Sequence, residues 1–165
     1  MSMRKYNCKN NHHGFTLLEM MIVVVLVGIL AAMAVPSFVR TFPRLKARAE
    51  ARNMLNLVRT ARSRAISENS QYGVYFNTAR RQYVIFKDTV SPSTATYNAG
   101  DSLLTNPVNI DPNVVYSTCT FANSCVVFLA SGAAAQSGTV TVNTTDGSRA
   151  YSLSVLAATG KSKLQ

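Results

Sequence analysis

The chain has few of the residues on which catalytic and metal sites depend. Its 165 residues include only two histidines, His12 and His13, and both precede Gly14. The seven acidic residues are scattered singly, without the spacing of metal ligands. After Gly14 there is no Ser-His or Cys-His pair for nucleophilic catalysis. We therefore expect no enzyme, no cofactor and no metal site.

Cysteine is also scarce, and the three residues fall in two different settings. Cys8 lies in a basic segment, which indicates the reducing cytosolic side of a membrane. Cys119 and Cys125 are separated by five residues in a region of strands and loops, a spacing that suits a structural clamp better than a redox motif. If this region is exported to an oxidising compartment, we expect a disulfide between them, with two free buried thiols as the alternative.

Acidic residues are also few compared with basic ones. There are 17 Lys and Arg against 7 Asp and Glu, a formal charge of +10. Three of the positive charges, Arg4, Lys5 and Lys9, precede Gly14, so the remaining chain carries 14 minus 7, or +7. Such a balance favours anionic partners, nucleic acid or lipid headgroups, and does not determine the fold.

An apolar run of membrane length covers residues 15–35, where only Thr16 and Glu19 are polar. A helix of this length spans the roughly 30 Å hydrocarbon core of a bilayer. The preceding positive charges predict that its start is cytoplasmic and that the rest of the chain faces outward. A cleaved secretory signal is the alternative, but the run is long and lacks a small-residue cleavage site at its far end. A carboxylate here costs several kcal/mol unless it is paired, so Glu19 indicates a function.

The stretch "GFTLLEMMIVVVLVGILAAMAVP", residues 14–36, resembles the N-terminus of type IV pilins and type II secretion pseudopilins. The resemblance implies that a prepilin peptidase cuts between Gly14 and Phe15 and methylates the new amino group of Phe15. It also implies that Glu19 pairs with the N-terminus of a neighbouring subunit during assembly. Pro36 matches the proline that bends or locally melts this helix in filaments.

Beyond Pro36 the pattern becomes amphipathic. Small and apolar residues recur with helical spacing and predict a face that packs on a globular head: Ala47, Ala51, Met54, Val58, Ala61 and Ala65. A neighbouring stripe consists of Arg44, Arg48, Arg52, Arg59 and Arg62. We interpret the stripe as a solvated or intersubunit face near lipid headgroups, in preference to a nucleic-acid track. Pro43 predicts a second kink or a loop.

The remaining sequence predicts a β-rich head. Residues 71–88 alternate as in a hairpin, and residues 89–112 are typical of a long loop with a short strand. Four further strands are predicted in "NVVYST", "CVVFLA", "GTVTVN" and "AYSLSVL". The expected fold is α+β and pilin-like, with a long N-terminal helix, membrane-spanning in its first half, packed on a C-terminal antiparallel β head. The predicted parts are a leader (1–14), a transmembrane and assembly helix (15–36), an amphipathic helix (37–69) and the head (70–165).

The end of the chain, "SGTVTVNTTDGSRAYSLSVLAATGKSKLQ", resembles that of the GspH/FimT group of minor pilins and pseudopilins. The resemblance implies a minor pilin that assembles with other pilins or pseudopilins after processing by prepilin peptidase. It implies a single-pass protein in inner-membrane lipid, with a cytoplasmic N-terminus and a periplasmic head, that later enters a pilus at the cell surface. A pseudopilin of a type II protein secretion system is one alternative.

A DNA-binding minor pilin for natural transformation is the other alternative. In FimT-type members a GRxR tail contributes to DNA binding, and the matching positions here are Gly160, Lys161, Ser162 and Lys163. Both arginines are replaced by lysine, which keeps the attraction to phosphate but loses the bidentate fork. The resemblance thus implies Lys161 and Lys163 as DNA-binding candidates, and Arg149 is a further candidate from a nearby strand end.

Overall fold

The computed structural model describes residues 14–165, so the predicted leader lies outside the described residues except for Gly14. One long helix precedes a β-rich region. The elements are α1 (Leu17–Ser67), β1 (Tyr72–Asn77), β2 (Gln82–Lys87), β3 (Ser102–Leu103), β4 (Val108–Asn109), β5 (Val114–Cys119), a 3₁₀ turn (Ala122–Ser124), β6 (Cys125–Phe128), β7 (Gly138–Thr144), β8 (Ala150–Val155) and β9 (Ser162–Leu164). The chain divides into two compact units, one up to Val39 and one from Arg40 to Gln165. The predicted α+β arrangement, a long N-terminal helix followed by a C-terminal antiparallel β head, is confirmed.

Helix α1 runs for 51 residues and continues through Pro36 and Pro43. The alternative of a loop at Pro43 is therefore wrong, because a proline removes one backbone donor and the turns on either side keep their hydrogen bonds. The helix ends where Asn69 adopts a left-handed conformation (φ 47°) and the Ser70 N–H bonds to the carbonyl of Ala65 at 3.2 Å. Asparagine is one of the few residues that adopt this conformation readily at a helix end.

The predicted apolar face of the second half of α1 packs on the head, as expected. All six of its residues are at most 1% exposed: Ala47, Ala51, Met54, Val58, Ala61 and Ala65. They share one core cluster with inward-facing residues of both sheets, including Phe76, Ile85, Val140 and Leu153. The small alanines bring the helix close to the sheets, and burial of the large side chains supplies the hydrophobic stabilisation.

The first sheet has the order β3-β2-β1-β6, with β4 also paired to β2, and all its pairs are antiparallel. Alternation along β1 turns Val74 toward the main core and Tyr75 toward the opposite face. The loop after β2 covers that second face: the Tyr97 ring stacks on Tyr75 at 4.5 Å and meets Phe86 edge-on at 5.0 Å. Both faces of this sheet are therefore covered.

The carboxylate of Asp101 holds the covering loop in place. It accepts hydrogen bonds from the N–H groups of Thr89, Val90 and Asn98, at 3.0, 3.0 and 2.7 Å. The loop then forms β3 and β4, two strands of two residues each that both pair with β2. Residues 89–112 thus match the predicted long loop, which contains two very short strands.

The second sheet has the order β5-β7-β8-β9. Its last strand was not predicted: β9 adds the C-terminal residues to β8, with Leu164 opposite Leu153 and Lys163 opposite Ser154. The main chain of Gln165 exchanges two hydrogen bonds with Ser152, both at 2.9 Å. The basic C-terminal segment is therefore part of the sheet.

The structure differs from the predicted disulfide, because Cys119 and Cys125 are both free thiols. Cys119 ends β5 and packs against the main core, whereas Cys125 opens β6 and lies with Phe86 and Val127 in the apolar cluster on the other face of the first sheet. The Cys125 thiol donates to the carbonyl of Ala122 at 3.7 Å. Burial raises the pKa of both thiols. This arrangement corresponds to the alternative of two free thiols.

Candidate assembly helix and basic groove

The segment Leu17–Ala34 of α1 is an apolar surface that no other described part of the chain covers. The segment Leu17–Ala34 has a mean hydropathy of 2.7 and none of it is buried. Leu17 is 79% exposed. The segment is long and apolar enough to cross a membrane. An uncovered surface of this size needs lipid or other helices around it.

Glu19 lies in the first turn of this helix, close behind the predicted cleavage site. Gly14 and Phe15 precede the helix, and Phe15 is 74% exposed. The Glu19 N–H donates to Oγ1 of Thr16 at 3.2 Å, so Thr16 caps the helix. The spacing Thr16-Leu-Leu-Glu19 is that of a capping box, a pattern that is visible in the sequence. Glu19 therefore also has a local role at the helix start, where its charge is favourable.

A groove of about 620 Å³ lies between the end of α1 and the segment that joins β8 to β9. The polar side chains that line it are Arg59, Arg62, Ser63, Thr159, Lys161 and Ser162. Three are cations and three carry hydroxyl groups, and no carboxylate lines the groove among the described residues. None of the ion pairs found within residues 14–165 involves these three cations. The groove is therefore chemically suited to an anion with several oxygen acceptors.

Glycine geometry holds the two walls of the groove together. Arg62 donates from Nε to the carbonyl of Gly132 at 2.9 Å, and Gly160 packs against the same carbonyl. A Cβ on Gly160 would lie 2.1 Å from that oxygen, and its φ of 61° is left-handed. Only glycine fits this position without strain. The position of Lys161, one residue later, is set by this contact.

The structure brings together only some of the predicted DNA-binding residues. Lys161 lines the groove with Arg59 and Arg62, but Lys163 lies on β9 outside it. Arg149 precedes the opposite end of β8, a strand of six residues that spans about 20 Å at 3.3 Å per residue. Sequence reasoning did not connect the two helix arginines with the tail, because the contact joins residues about 100 positions apart.

Family models match both parts of this architecture. The prokaryotic N-terminal methylation motif matches residues 9–35. The model of the type II transport protein GspH matches residues 50–159, well over half of the chain. A chain with this motif, an apolar helix and a β-rich head is a pilin-like subunit. It belongs to the GspH family, whose members are pilins and pseudopilins.

Individual relatives agree with this assignment. The chain is 40% identical over 77 residues to the type IV major pilin protein PilA of Myxococcus xanthus. The aligned region covers 47% of this chain and 34% of that protein. The chain thus matches about a third of the length of this curated relative.

Resemblance to solved structures supports the fold. The minor pseudopilin EpsH from the type 2 secretion system of Vibrio cholerae is 13% identical, with 73% of this chain and 96% of that chain covered and a TM-score of 0.57. The type IV minor pilin FimU of Pseudomonas aeruginosa is 17% identical, with 74% and 90% covered and a TM-score of 0.55.

The class predicted from the sequence, a pilin or pseudopilin, is thereby confirmed. The apolar helix and the methylation motif together indicate membrane anchoring with a globular head. The family consists of structural subunits that assemble with other pilins after processing by prepilin peptidase.

Proposed function

We propose that this chain is a minor pilin that enters a type IV pilus after cleavage between Gly14 and Phe15 and methylation of Phe15. Its head is periplasmic before assembly and reaches the cell surface with the filament. The observation that carries the proposal is the uncovered apolar segment Leu17–Ala34, whose single carboxylate, Glu19, lies in the first turn of α1. Neighbouring helices would cover this surface, and the new amino group of Phe15 in one subunit would pair with Glu19 of the next.

Substitution of Glu19 by glutamine tests this proposal selectively. Glutamine serves in a capping box as well as glutamate does, so Glu19→Gln keeps the helix start and removes only the charge. We expect cleavage to continue and the amount of subunit in sheared filaments to fall about tenfold or more, because loss of about 1.4 kcal/mol of pairing free energy gives a factor of ten. Thr16→Ala is the matched control that removes the cap and keeps the charge. Normal incorporation of Glu19→Gln would contradict the proposal.

A second candidate function, DNA capture, is supported by the basic groove. We propose that Arg59, Arg62 and Lys161 contact phosphates, which would extend the predicted tail site onto the helix. Arginine can bind a phosphate through two donors, whereas lysine adds a point charge. Lys163 and Arg149 lie outside the groove and would contribute only long-range attraction.

A salt series with duplex DNA tests this second function on the full chain in neutral detergent. Each phosphate contact adds close to one unit to the slope of log affinity against log salt concentration, so Lys161→Ala should lower the slope by about one. Arg149→Ala is the matched control: it removes the same charge far from the groove and should leave the slope nearly unchanged. Equal effects of the two substitutions would mean that only net charge matters. Absence of binding at low salt would overturn DNA capture, and filament assembly would remain as the proposed function.

A further inference from the structure

A cleft of about 230 Å³ opens beside the first sheet, and none of the residues that line it belongs to α1 or to the basic groove. It lies between the β1–β2 hairpin, the loop that carries Tyr97, and the turn between β3 and β4. Six of the nine residues that line it are apolar or aromatic: Tyr75, Tyr83, Val84, Tyr97, Leu103 and Pro107. The other three, Asn77, Arg80 and Gln82, are polar residues of the hairpin, and the Gln82 amide already donates to Asn109 at 2.8 Å. The function described above uses none of these residues.

The aromatic wall of the cleft is rigid and partly exposed. The rings of Tyr75 and Tyr97 stack at 4.5 Å with an interplanar angle of 17°, and Phe86 supports Tyr97 from its edge. Both tyrosines are half-buried, and neither hydroxyl makes a hydrogen bond within residues 14–165. Tyrosines held in this way lose little conformational entropy when a further ring stacks on them.

The polar end of the cleft has hydrogen-bond donors that are available to a ligand. Asn77 uses its side-chain oxygen to accept the backbone N–H of Arg80 at 2.9 Å, which leaves its amide N–H₂ group available. The guanidinium of Arg80 is exposed and is in none of the ion pairs found in the described part of the chain. Leu103 and Pro107, which also line the cleft, are exposed apolar side chains.

This combination selects the chemistry of the ligand. A volume of 230 Å³ is below that of pockets for drug-sized molecules, about 300–1,000 Å³, and suits one flat ring system. Such a ring would lie against a tyrosine on one side and against Leu103 and Pro107 on the other. An anionic group attached to the ring would reach Arg80, and polar ring edges would meet the Asn77 amide. A nucleotide has all three features, whereas an uncharged sugar would leave the arginine without a partner.

We propose that this cleft binds one nucleotide of a DNA single strand, by stacking of its base and by contact of its phosphate with Arg80. The inference rests on the DNA-capture function proposed above and adds base stacking to a phosphate-binding surface. Aromatic platforms combined with basic side chains bind single strands with little sequence preference, since every base has a π face. The ligand class is therefore single-stranded or frayed DNA of any sequence.

The test compares two strands of equal length and charge, an oligothymidylate and an abasic strand, on the full chain in neutral detergent. Stacking should make the oligothymidylate bind about 5- to 150-fold more tightly. Tyr97→Ala should remove this preference and leave abasic binding unchanged. Lys161→Ala should weaken both strands by the same factor and keep the preference.

The outcomes separate the inference from the function on which it rests. Equal affinity of the native chain for both strands would overturn the cleft inference and leave phosphate-based DNA capture standing. Binding of neither strand at low salt would overturn DNA capture, and the cleft inference with it. If Tyr97→Ala does not fold, Arg80→Gln replaces it, since this exposed side chain supports no packing. Arg80→Gln should weaken binding of thymidine monophosphate but not of thymidine, and an equal effect on the two would also overturn the inference.

Discussion

Arg62 on α1 donates a hydrogen bond from Nε to the carbonyl oxygen of Gly132, at 2.9 Å, and so joins the end of the long helix to the loop before β7. Gly160 packs on the same oxygen, beside the Arg62 side chain and one residue before Lys161. A charged donor on a partly buried carbonyl contributes about 1.5–3 kcal/mol. The basic groove is therefore attached to the fold by a specific contact, which places its lysine beside the helix arginines.

The first prediction concerns Gly160. Gly160→Ala introduces a left-handed alanine and a Cβ that would lie 2.1 Å from the Gly132 oxygen. Gly147→Ala is the matched control, since its φ of 68° is similar and nothing lies within 4 Å of the added Cβ. We expect Gly147→Ala to lower the free energy of unfolding by about 1–2 kcal/mol from backbone conformation alone. Gly160→Ala should cost about 1–3 kcal/mol more, from the clash. Urea unfolding measures both, and equal costs would contradict the close approach at Gly160.

The second prediction concerns the buried carboxyl of Glu50. This side chain is 8% exposed and accepts a hydrogen bond from the hydroxyl of Tyr83 at 2.9 Å. Burial and the charge of Asp111 raise its pKa, and the bond from Tyr83 only partly opposes them. A raised pKa in the folded state means that the stability contributed by Glu50 is complete below about pH 4.5 and is lost as the pH rises. Glu50→Gln should therefore stabilise the protein at pH 7, with a difference that disappears in acid.

Glu68 provides the control of opposite sign for this prediction. The hydrogen bond from Tyr72, with help from Lys87 and Arg64, lowers the pKa of this exposed carboxyl. Its contribution is present above about pH 4.5 and is lost as the pH falls through the lowered pKa. Glu68→Gln should therefore lower the stability of the protein at pH 7 and have no effect on stability in strong acid. Urea unfolding midpoints over a pH series measure the stability change caused by each substitution. A loss of stability for Glu50→Gln at pH 7 would contradict the raised pKa of Glu50.

The third prediction concerns the two thiols of the head. Cys119 is half-buried and lies in the lining of a groove beside β5, whereas Cys125 is buried. Since both are free and burial raises the pKa of each, an alkylating reagent should react slowly in the folded protein, at Cys119 before Cys125. Mass spectrometry of the exported chain after timed alkylation measures the order, and Cys119→Ala should remove the faster phase. Absence of any free head thiol after unfolding would show instead that the disulfide expected from the sequence forms after export.

The parts of the fold with a clear sequence period could be predicted. The six-residue apolar face of α1 follows the helical repeat, and strands β1, β2, β5, β6, β7 and β8 follow alternation or a continuous apolar run. The strands β3, β4 and β9 have two or three residues, too few to carry a period. A signal for the covered second face was present in the uninterrupted "CVVF" of β6, since a strand with no polar residue is buried on both faces.

The candidate sites were less accessible to prediction, because they depend on contacts between distant segments. The tail motif identified Lys161, but its neighbours Arg59 and Arg62 lie on a stripe that also includes the exposed Arg44 and Arg48. Only tertiary packing divides that stripe into groove and solvated surface. The cleft beside Tyr97 depends on a long loop whose path is set by Asp101. No local sequence pattern predicts this path.

We infer that cleavage next to the apolar helix makes the N-terminus of this pilin subunit. The most direct measurement is the N-terminal mass of the chain produced together with a prepilin peptidase. We expect a product that begins at Phe15 and carries one methyl group on its amino nitrogen, whereas Gly14→Glu should leave the chain uncut. A chain that keeps Met1, or one that is cut beyond Ala34 as a secretory signal would be, would contradict the assignment.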